Sequence, residues 1–232
     1  MTLMKTILIT GANRGLGLEF TRQYAQAGWQ VIACCRNPEK ATALAQLAGN
    51  YNDIRTVQLD VQNHQQIEAL AAELKATAID VLISNAGIYG DRHAFGTIDY
   101  QDWNFTMQVN VFAVIKLAEV FASNLALSEQ GIFVAISSLM GSITDNTSGG
   151  SYLYRSSKAA LNAATKSLAF DFHQQGTGVI IFHPGWVRTD MGGPNGLIDV
   201  DESIAGMREQ IEKFSLSKTG CFINYHGKAM PW

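Results

Sequence analysis

Thr10-Gly11-Ala12-Asn13-Arg14-Gly15-Leu16-Gly17 is the stretch of this sequence that decides the fold. The mostly apolar run before it, residues 5–10, predicts a buried strand, and the residues from about 15 to 27 predict a helix. Glycines at such a turn let a pyrophosphate approach the backbone, and the helix N-terminus supplies N–H donors and a positive dipole end. The stretch therefore predicts a dinucleotide-binding turn, although a plain strand-to-helix turn is the alternative. Its expected cofactor contacts are Gly11, Asn13, Arg14, Gly15, Leu16 and Gly17.

Strand and helix patterns alternate along the rest of the chain. Further strands are expected at 30–35, 54–59, 79–84, 132–137, 178–183 and 221–224, with helices near 38–50, 64–77, 99–127, 152–174 and 201–214. This alternation predicts an α/β fold, a single-domain Rossmann-type doubly wound parallel sheet of about seven strands with helices on both faces. We expect residues 1–232 to form one dinucleotide-binding domain, with a short substrate loop and helix at about 186–215.

Composition limits the classes of partner. Of 232 residues, 47% are hydrophobic and 16% charged, and the net charge of −3 gives no electrostatic reason to expect nucleic acid or an anionic membrane. The sequence shows no apolar run of about 20 residues and no signal-peptide layout, so we expect a cytoplasmic protein. Three cysteines, two of them adjacent, do not form a disulfide framework or zinc pattern, and the five scattered histidines predict no metal site.

A second stretch, Tyr154-Arg155-Ser156-Ser157-Lys158, carries the chemistry. Tyr154 and Lys158 are four residues apart, so a helix places both side chains on one face. An ammonium beside a phenol favours the phenolate, so we expect Lys158 to lower the pKa of Tyr154 below its usual value of about 10. With Ser138 at a predicted strand end, the pair predicts a proton donor for a carbonyl or a base for an alcohol. A packed tyrosine beside a solvated lysine is the alternative.

Residues after the other strands complete the predicted cofactor site. An NAD site usually has an acidic residue after the second strand, whereas this chain has Arg36, which together with Arg14 can hold a 2′-phosphate. The sequence therefore favours NADP(H) over NAD. The other expected contacts are Asp60 and Val61 after the third strand, Asn85, Ala86 and Gly87 after the fourth, and Pro184, Gly185, Val187 and Thr189 after the sixth.

Asn110 lies within the long predicted helix 99–127. A buried Asn needs hydrogen-bond partners. We therefore expect Asn110 either to brace a neighbouring backbone segment or to join a proton relay.

These motifs, in this order, resemble those of the short-chain dehydrogenase/reductase superfamily, and within it the sniffer and C-factor-like carbonyl reductase branch. The resemblance covers nearly the whole chain. The sequence departs from the family pattern in having Ser84 where Asn is usual, and in a longer gap between Ser138 and Tyr154. Ser138, rather than Ser137, matches the catalytic serine of the family because Gly141 follows it by three residues.

The resemblance implies reduction of an aldehyde, ketone or quinone carbonyl by hydride transfer from NADPH. It implies that Tyr154 donates the proton and that Lys158 lowers the tyrosine pKa and holds the nicotinamide ribose. It assigns Ser138 to orienting the carbonyl and Asn110 to holding a water molecule. It also implies a homodimer or homotetramer built on the helices around 102–127 and 152–174.

Two other functions stay open at this point. The same fold and Tyr/Lys pair serve sugar-nucleotide epimerases and dehydratases, but those usually have a longer substrate domain than the short segment that follows Pro184 here. The other alternative is a nucleotide-binding signalling or sensor protein with little or no turnover. Residues 89–96, 139–153 and 186–200 predict an apolar, partly aromatic pocket, which favours a small hydrophobic carbonyl substrate.

Overall fold

The computed structural model describes residues 4–232 and shows seven strands and seven α-helices in that range. The strands are β1 Thr6–Thr10, β2 Gln30–Cys35, β3 Ile54–Gln58, β4 Val81–Ser84, β5 Ile132–Ile136, β6 Gly178–His183 and β7 Cys221–Asn224. The helices are α1 Gly15–Gln26, α2 Thr42–Asn50, α3 His64–Glu73, α4 Tyr100–Met107, α5 Ala113–Ala126, α6 Tyr152–His173 and α7 Val200–Glu212. Short 3₁₀ turns lie at Pro38–Lys40, Leu139–Gly141 and Leu216–Lys218.

All seven strands form one parallel sheet in the order β3-β2-β1-β4-β5-β6-β7. The order reverses between β1 and β4, so a crevice opens at their carboxyl ends, which is where open α/β sheets bind ligands. The predicted single-domain doubly wound fold is confirmed.

The sheet is buried on both faces because side chains alternate along each strand. In β1, Leu8 packs on the side of α3, α5 and α6, whereas Ile7 and Ile9 pack on the side of α1, α2 and α7. This two-sided burial explains why the strands read as continuous apolar runs in the sequence.

Two predicted boundaries around α3 are wrong by a few residues. The helix ends at Glu73 rather than near 77, and β4 begins at Val81 rather than 79. The Asn124 amide donates hydrogen bonds to the carbonyl oxygens of Leu74 (2.7 Å) and Thr77 (3.0 Å). This long-range contact satisfies carbonyls that the helix leaves free, so the chain can leave the helical path early.

The predicted helix 99–127 is continuous but contains a π-helical turn. Asp99 caps it by accepting hydrogen bonds from the amides of Gln101 and Asp102. The turn Gln108–Phe112 separates α4 from α5 and carries Asn110. π-Turns inside α-helices often occur at functional sites.

This continuous helix, Tyr100–Ala126, has the length and mean hydropathy of a membrane span, although it contains no uninterrupted apolar run of about 20 residues. Among the described residues it is the one helix long and apolar enough, by length and composition, to cross a bilayer. More than half of its most apolar window is buried inside the fold, where Val114, Leu117 and Phe121 join the core. Its apolar character is therefore accounted for by packing on two sides.

Candidate active site

A cavity of about 580 Å³ opens at the carboxyl ends of the strands, across the point where the strand order reverses. Most of the predicted site residues line it, although they come from segments spread over 180 residues of sequence. They are Gly11, Asn13, Arg14, Gly15, Leu16, Arg36, Asp60, Val61, Asn85, Ala86, Gly87, Tyr154, Lys158, Pro184 and Thr189. The remaining predicted residues, Gly17, Asn110, Ser138, Gly185 and Val187, lie outside this lining.

The glycines of the first turn are required by its geometry. Gly11 and Gly15 have φ values of +67° and +52°, in the region that side chains disfavour. A Cβ on Gly17 would lie 2.1 Å from the Gly11 carbonyl oxygen, so only glycine lets α1 pack this closely against the turn. The Asn85 amide donates to the carbonyl oxygens of Thr10 (2.9 Å) and Gly11 (3.2 Å) and fixes the turn from β4. The result is an open cradle at the start of a helix, which suits a phosphate.

Three cationic side chains line the cavity. Arg36 and Lys40 line it from the segment after β2, and Arg14 lines it from the glycine-rich turn after β1. Arg14 also forms an exposed ion pair with Asp190 at 2.8 Å. Lys40, in the 3₁₀ turn after β2, was not predicted as a cavity residue, because its pattern indicates only the start of a helix. A dinucleotide that carries a 2′-phosphate fits this group better than one that carries a free 2′-hydroxyl.

Tyr154 and Lys158 share one face of α6, as their spacing predicts. The Lys158 ammonium nitrogen lies 5.7 Å from the centroid of the Tyr154 ring and donates a hydrogen bond of 2.9 Å to the Ile136 carbonyl. Both side chains are buried, with exposed fractions of 8% for Tyr154 and 6% for Lys158. The alternative of a solvated lysine is therefore wrong.

The expected direction of the Tyr154 pKa shift is also wrong. Burial raises the pKa of Tyr154 to about 12, and the neighbouring Ser138 hydroxyl only partly opposes this. Burial likewise lowers the pKa of Lys158 to about 8. Desolvation favours the neutral form of each group and is the largest cause of both shifts.

The two serines at the end of β5 have different surroundings. Ser137 is buried and donates a hydrogen bond of 2.5 Å to the Asn162 side chain. Ser138 is partly exposed, accepts a hydrogen bond from the Met140 amide and contacts the Tyr154 hydroxyl closely enough to affect its pKa. Ser138 is therefore the serine placed to share a ligand oxygen with Tyr154.

Asn110 takes the first of its two expected roles. Its side-chain oxygen accepts from the Ile88 amide (2.9 Å), and its side-chain nitrogen donates to the Ile88 carbonyl (2.8 Å) and to the Ser157 hydroxyl (3.0 Å). A Cβ on Gly87 would lie 3.2 Å from the Asn110 oxygen and 3.7 Å from the Lys158 nitrogen. Asn110 therefore braces the segment after β4 next to the buried lysine.

The turn after β6 folds back over the glycine-rich turn. Gly185 has φ +89°, and Val187 is buried and pairs with Ile198. The Thr189 side chain would lie 3.6 Å from a Cβ on Gly15. Residues after β6 therefore close the cavity on the side of the phosphate cradle.

Several lining residues escaped sequence reasoning. Phe105, Val109 and Ile136 supply apolar surface, and Asn37 and Gln62 supply polar surface. Arg188, Asp190 and Met191 also line the cavity and lie on the predicted wall 186–200. Phe105 and Val109 lie one turn apart on the long helix, a spacing equally typical of core residues.

His93 lies close to Asp91 and Asp102, a grouping that the positions of the histidines in the sequence do not indicate. Its ring nitrogen lies 3.3 Å from the Asp102 carboxylate, which also accepts a hydrogen bond from the Asp91 amide, and the carboxylate of Asp91 lies nearby. These contacts fasten the loop after β4 to α4. The expected absence of a metal site stays a prediction.

Comparisons with known proteins agree with this geometry. A family model described as short chain dehydrogenase matches residues 5–196. C-signal of Myxococcus xanthus is 36% identical over 166 residues, which cover 72% of this chain and all of that protein.

Two solved structures cover nearly the whole chain. The carbonyl reductase Sniffer of D. melanogaster superposes with a TM-score of 0.93 at 35% identity, over 99% of this chain and all of the fly protein. The NADPH-bound carbonyl reductase from chicken fatty liver superposes with a TM-score of 0.92 at 33% identity, over 99% of both chains. The fold of this chain is therefore the same as that of these reductases, and the family model spans the segments that carry the phosphate cradle and the Tyr154/Lys158 pair. The chain belongs to the short-chain dehydrogenase/reductase family of oxidoreductases.

Proposed function

We propose that this protein reduces the carbonyl of an aldehyde, ketone or quinone to an alcohol, using NADPH as the hydride source and Tyr154 as the proton donor. The observation that carries the proposal is that Tyr154 and Lys158 line the same cavity as the phosphate cradle and the cations after β2. The similar carbonyl reductases, one of them bound to NADPH, support the same reaction class.

The residues present fit an NADP(H) cofactor. The cradle of Gly11, Gly15 and Gly17 leaves backbone N–H groups of α1 available to the pyrophosphate. Arg36, with Arg14 and Lys40, would hold the 2′-phosphate, and Asp60 and Val61 would flank the adenine. When bound, this cofactor supplies the hydride.

Tyr154 enters the reaction protonated because burial raises its pKa to about 12. A phenol that is neutral at pH 7 can donate its proton to a carbonyl oxygen as that oxygen gains negative charge. Ser138, which contacts the Tyr154 hydroxyl, would hold the same oxygen by a second hydrogen bond. Lys158 would contact the nicotinamide ribose, and Asn110, which already has three protein contacts, would position a water beside Lys158.

The substrate is a small hydrophobic carbonyl compound. Tyr89, Met140, Tyr152, Trp186 and Met191 lie on the three segments that were predicted as pocket walls, and the last three are exposed to solvent. The cavity itself also contains Phe105 and Val109. Such a surface favours apolar substrates over charged ones. The loop and helix at about 186–215 would form the movable part of this pocket.

The reaction is tested by NADPH oxidation over a panel of aldehydes, ketones and quinones. Tyr154→Phe removes the proton donor, and Tyr100→Phe is the matched control, because it removes an exposed hydroxyl outside the cavity. We expect wild-type turnover, at least a hundredfold loss of kcat in Tyr154→Phe, and little change in the control. Equal activity of the two variants would refute the role of Tyr154.

The cofactor preference has a separate test. Arg36→Asp should weaken NADPH binding by about 2 kcal/mol, roughly thirtyfold, because it removes a charged hydrogen bond to the 2′-phosphate. NADH binding should change little. Lys75→Asp, at an exposed position outside the cavity, makes the same change in charge and serves as the control. Equal losses for NADPH and NADH would show that Arg36 does not contact the 2′-phosphate.

A nucleotide-binding signalling or sensor role is the second candidate, and the similarity to a protein named C-signal supports it. The two candidates differ in turnover. NADPH binding without oxidation of NADPH by any carbonyl on the panel would favour the sensor role.

We also propose that the protein works in the cytoplasm as a homodimer or homotetramer, without binding nucleic acid or membrane. The exposed aromatic rings of Phe112 and Phe170, with exposed fractions of 44% and 67%, lie on or beside the two expected interface helices. Light scattering after chromatography should give a dimer or tetramer mass, and Phe170→Glu should reduce it. A monomer at micromolar concentration would contradict this.

A further inference from the structure

Tyr89, in the segment after β4, lies against the proposed proton donor. The rings of Tyr89 and Tyr154 are stacked, with centroids 4.4 Å apart and planes inclined by only 14°. This contact covers one face of the Tyr154 ring, which explains how a residue at the mouth of a cavity is almost fully buried. Stacked aromatic pairs contribute on the order of 1 kcal/mol beyond the area that they bury.

Two further contacts hold Tyr89 in this position. Its hydroxyl lies 2.9 Å from the Ser151 hydroxyl, and the guanidinium of Arg92 lies 4.9 Å from its ring centroid. The hydroxyl of Tyr89 is therefore hydrogen-bonded to Ser151, and its ring contacts both the Arg92 guanidinium and the Tyr154 ring.

Ser151 is in an unusual conformation. It precedes α6 with φ +47° and is the single non-glycine residue with positive φ among the described residues. A side chain in this region costs free energy, on the order of 1 kcal/mol or more, unless its surroundings hold it there. The Tyr89 hydroxyl supplies such a contact at the start of the helix that carries both Tyr154 and Lys158.

We propose that Tyr89 is a positioning residue for the proton donor: its ring fixes the Tyr154 ring and excludes water from it, and its hydroxyl fixes the start of α6 through Ser151. This inference rests on the proposed function for the role of Tyr154. Tyr89 belongs to none of the family motifs, and its segment, 89–96, was predicted only as a pocket wall.

Two substitutions test the ring of Tyr89 and its hydroxyl separately. Tyr89→Phe keeps the stack and loses the bond to Ser151, whereas Tyr89→Leu loses both. We expect Tyr89→Phe to retain at least a third of the wild-type kcat. Tyr89→Leu should lose tenfold or more in kcat with an unchanged KM for NADPH, because the phosphate cradle lies elsewhere in the cavity.

Exclusion of water from Tyr154 has a readout that does not need a substrate. The absorbance of tyrosinate is titrated in Tyr89→Phe and Tyr89→Leu, each with and without Tyr154→Phe, so that each difference isolates the Tyr154 phenol. Tyr154 should ionise at least one pH unit lower in the Leu background than in the Phe background, because burial is what raises its pKa. Tyr89→Met replaces the Leu variant if that variant does not fold.

Equal kcat values and equal titrations in the two backgrounds would overturn the proposal, since the ring would then be dispensable. A titration difference together with absence of turnover in the wild type would support the positioning of Tyr154 and refute the reductase function. A loss of kcat in Tyr89→Leu without a titration difference would refute the exclusion of water. The positioning role of Tyr89 and the reductase function can therefore be refuted independently of each other.

Discussion

Lys158→Met should stabilise the cofactor-free protein while abolishing its activity. Lys158 is buried, and its ammonium donates a hydrogen bond to the Ile136 carbonyl, which is an uncharged acceptor. Burial lowers the pKa of Lys158 from 10.5 to about 8. At 1.36 kcal/mol for each pH unit, this difference corresponds to about 3 kcal/mol of destabilisation by the charged form at pH 7. Losing the hydrogen bond offsets about 1 kcal/mol, so we expect a net gain of about 2 kcal/mol.

The dependence on pH identifies the cause. A lysine whose pKa is lowered in the folded state binds fewer protons there than in the unfolded state between pH 8 and 10.5. The destabilisation is therefore fully present below pH 8 and is relieved as the pH rises towards 10.5. The advantage of Lys158→Met over the wild type should shrink by about 2 kcal/mol between pH 7 and pH 9.5.

Urea denaturation of the cofactor-free protein at the two pH values measures this. Lys75→Met is the control, because Lys75 is exposed and its replacement should change the free energy of unfolding by less than about 0.5 kcal/mol. A Lys158→Met variant that is less stable than the wild type at pH 7 would refute the reasoning. So would an advantage that does not change between pH 7 and pH 9.5.

Three other substitutions have outcomes that follow from single contacts. Gly17→Ala places a Cβ 2.1 Å from the Gly11 carbonyl oxygen, so it should cost about 1–3 kcal/mol in unfolding free energy and weaken NADPH binding at least tenfold, as measured by denaturation and fluorescence titration. Asp99→Ala removes the cap of α4 and should cost about 1 kcal/mol in urea denaturation without changing cofactor affinity. Asn110→Leu leaves the amide and carbonyl of Ile88 without their side-chain partner and should cost about 2–3 kcal/mol, and a thermal midpoint equal to that of the wild type would contradict the bracing role.

Short sequence patterns correctly predicted the features that depend on residues close together in the sequence. Gly11 and Gly15 mark a turn that needs positive φ, and the spacing of Tyr154 and Lys158 places both on one face of a helix. The parallel sheet followed from the alternation of strand and helix patterns, because parallel strands need crossover connections. These features depend on neighbours in the sequence, so the sequence was sufficient for them.

Features that depend on distant segments were not predicted. The stack of Tyr89 on Tyr154 joins residues 65 positions apart, and nothing in either local pattern indicates it. Asn124, which lies 50 residues further along the chain on the neighbouring helix α5, bonds the Leu74 carbonyl at the end of α3. The pairing of His93 with Asp102 is visible only once the loop after β4 has folded against α4. The predicted direction of the Tyr154 pKa shift was wrong for the same reason, because the depth at which a side chain is buried depends on the whole fold.

Burial also explains how the proposed proton donor could be reloaded. In free side chains, with pKa values of 10.0 and 10.5, a phenol is slightly more acidic than an ammonium. In the folded protein the values are about 12 for Tyr154 and about 8 for Lys158, so the ammonium is the stronger acid by about 4 pH units. Transfer of a proton from Lys158 to a Tyr154 phenolate is then downhill by about 5 kcal/mol. The lowered pKa of Lys158 accounts for about 3 kcal/mol of this driving force, and the raised pKa of Tyr154 accounts for most of the rest. The burial of Lys158 that destabilises the fold therefore also favours reprotonation of Tyr154, so the variant that stabilises the protein should also be inactive.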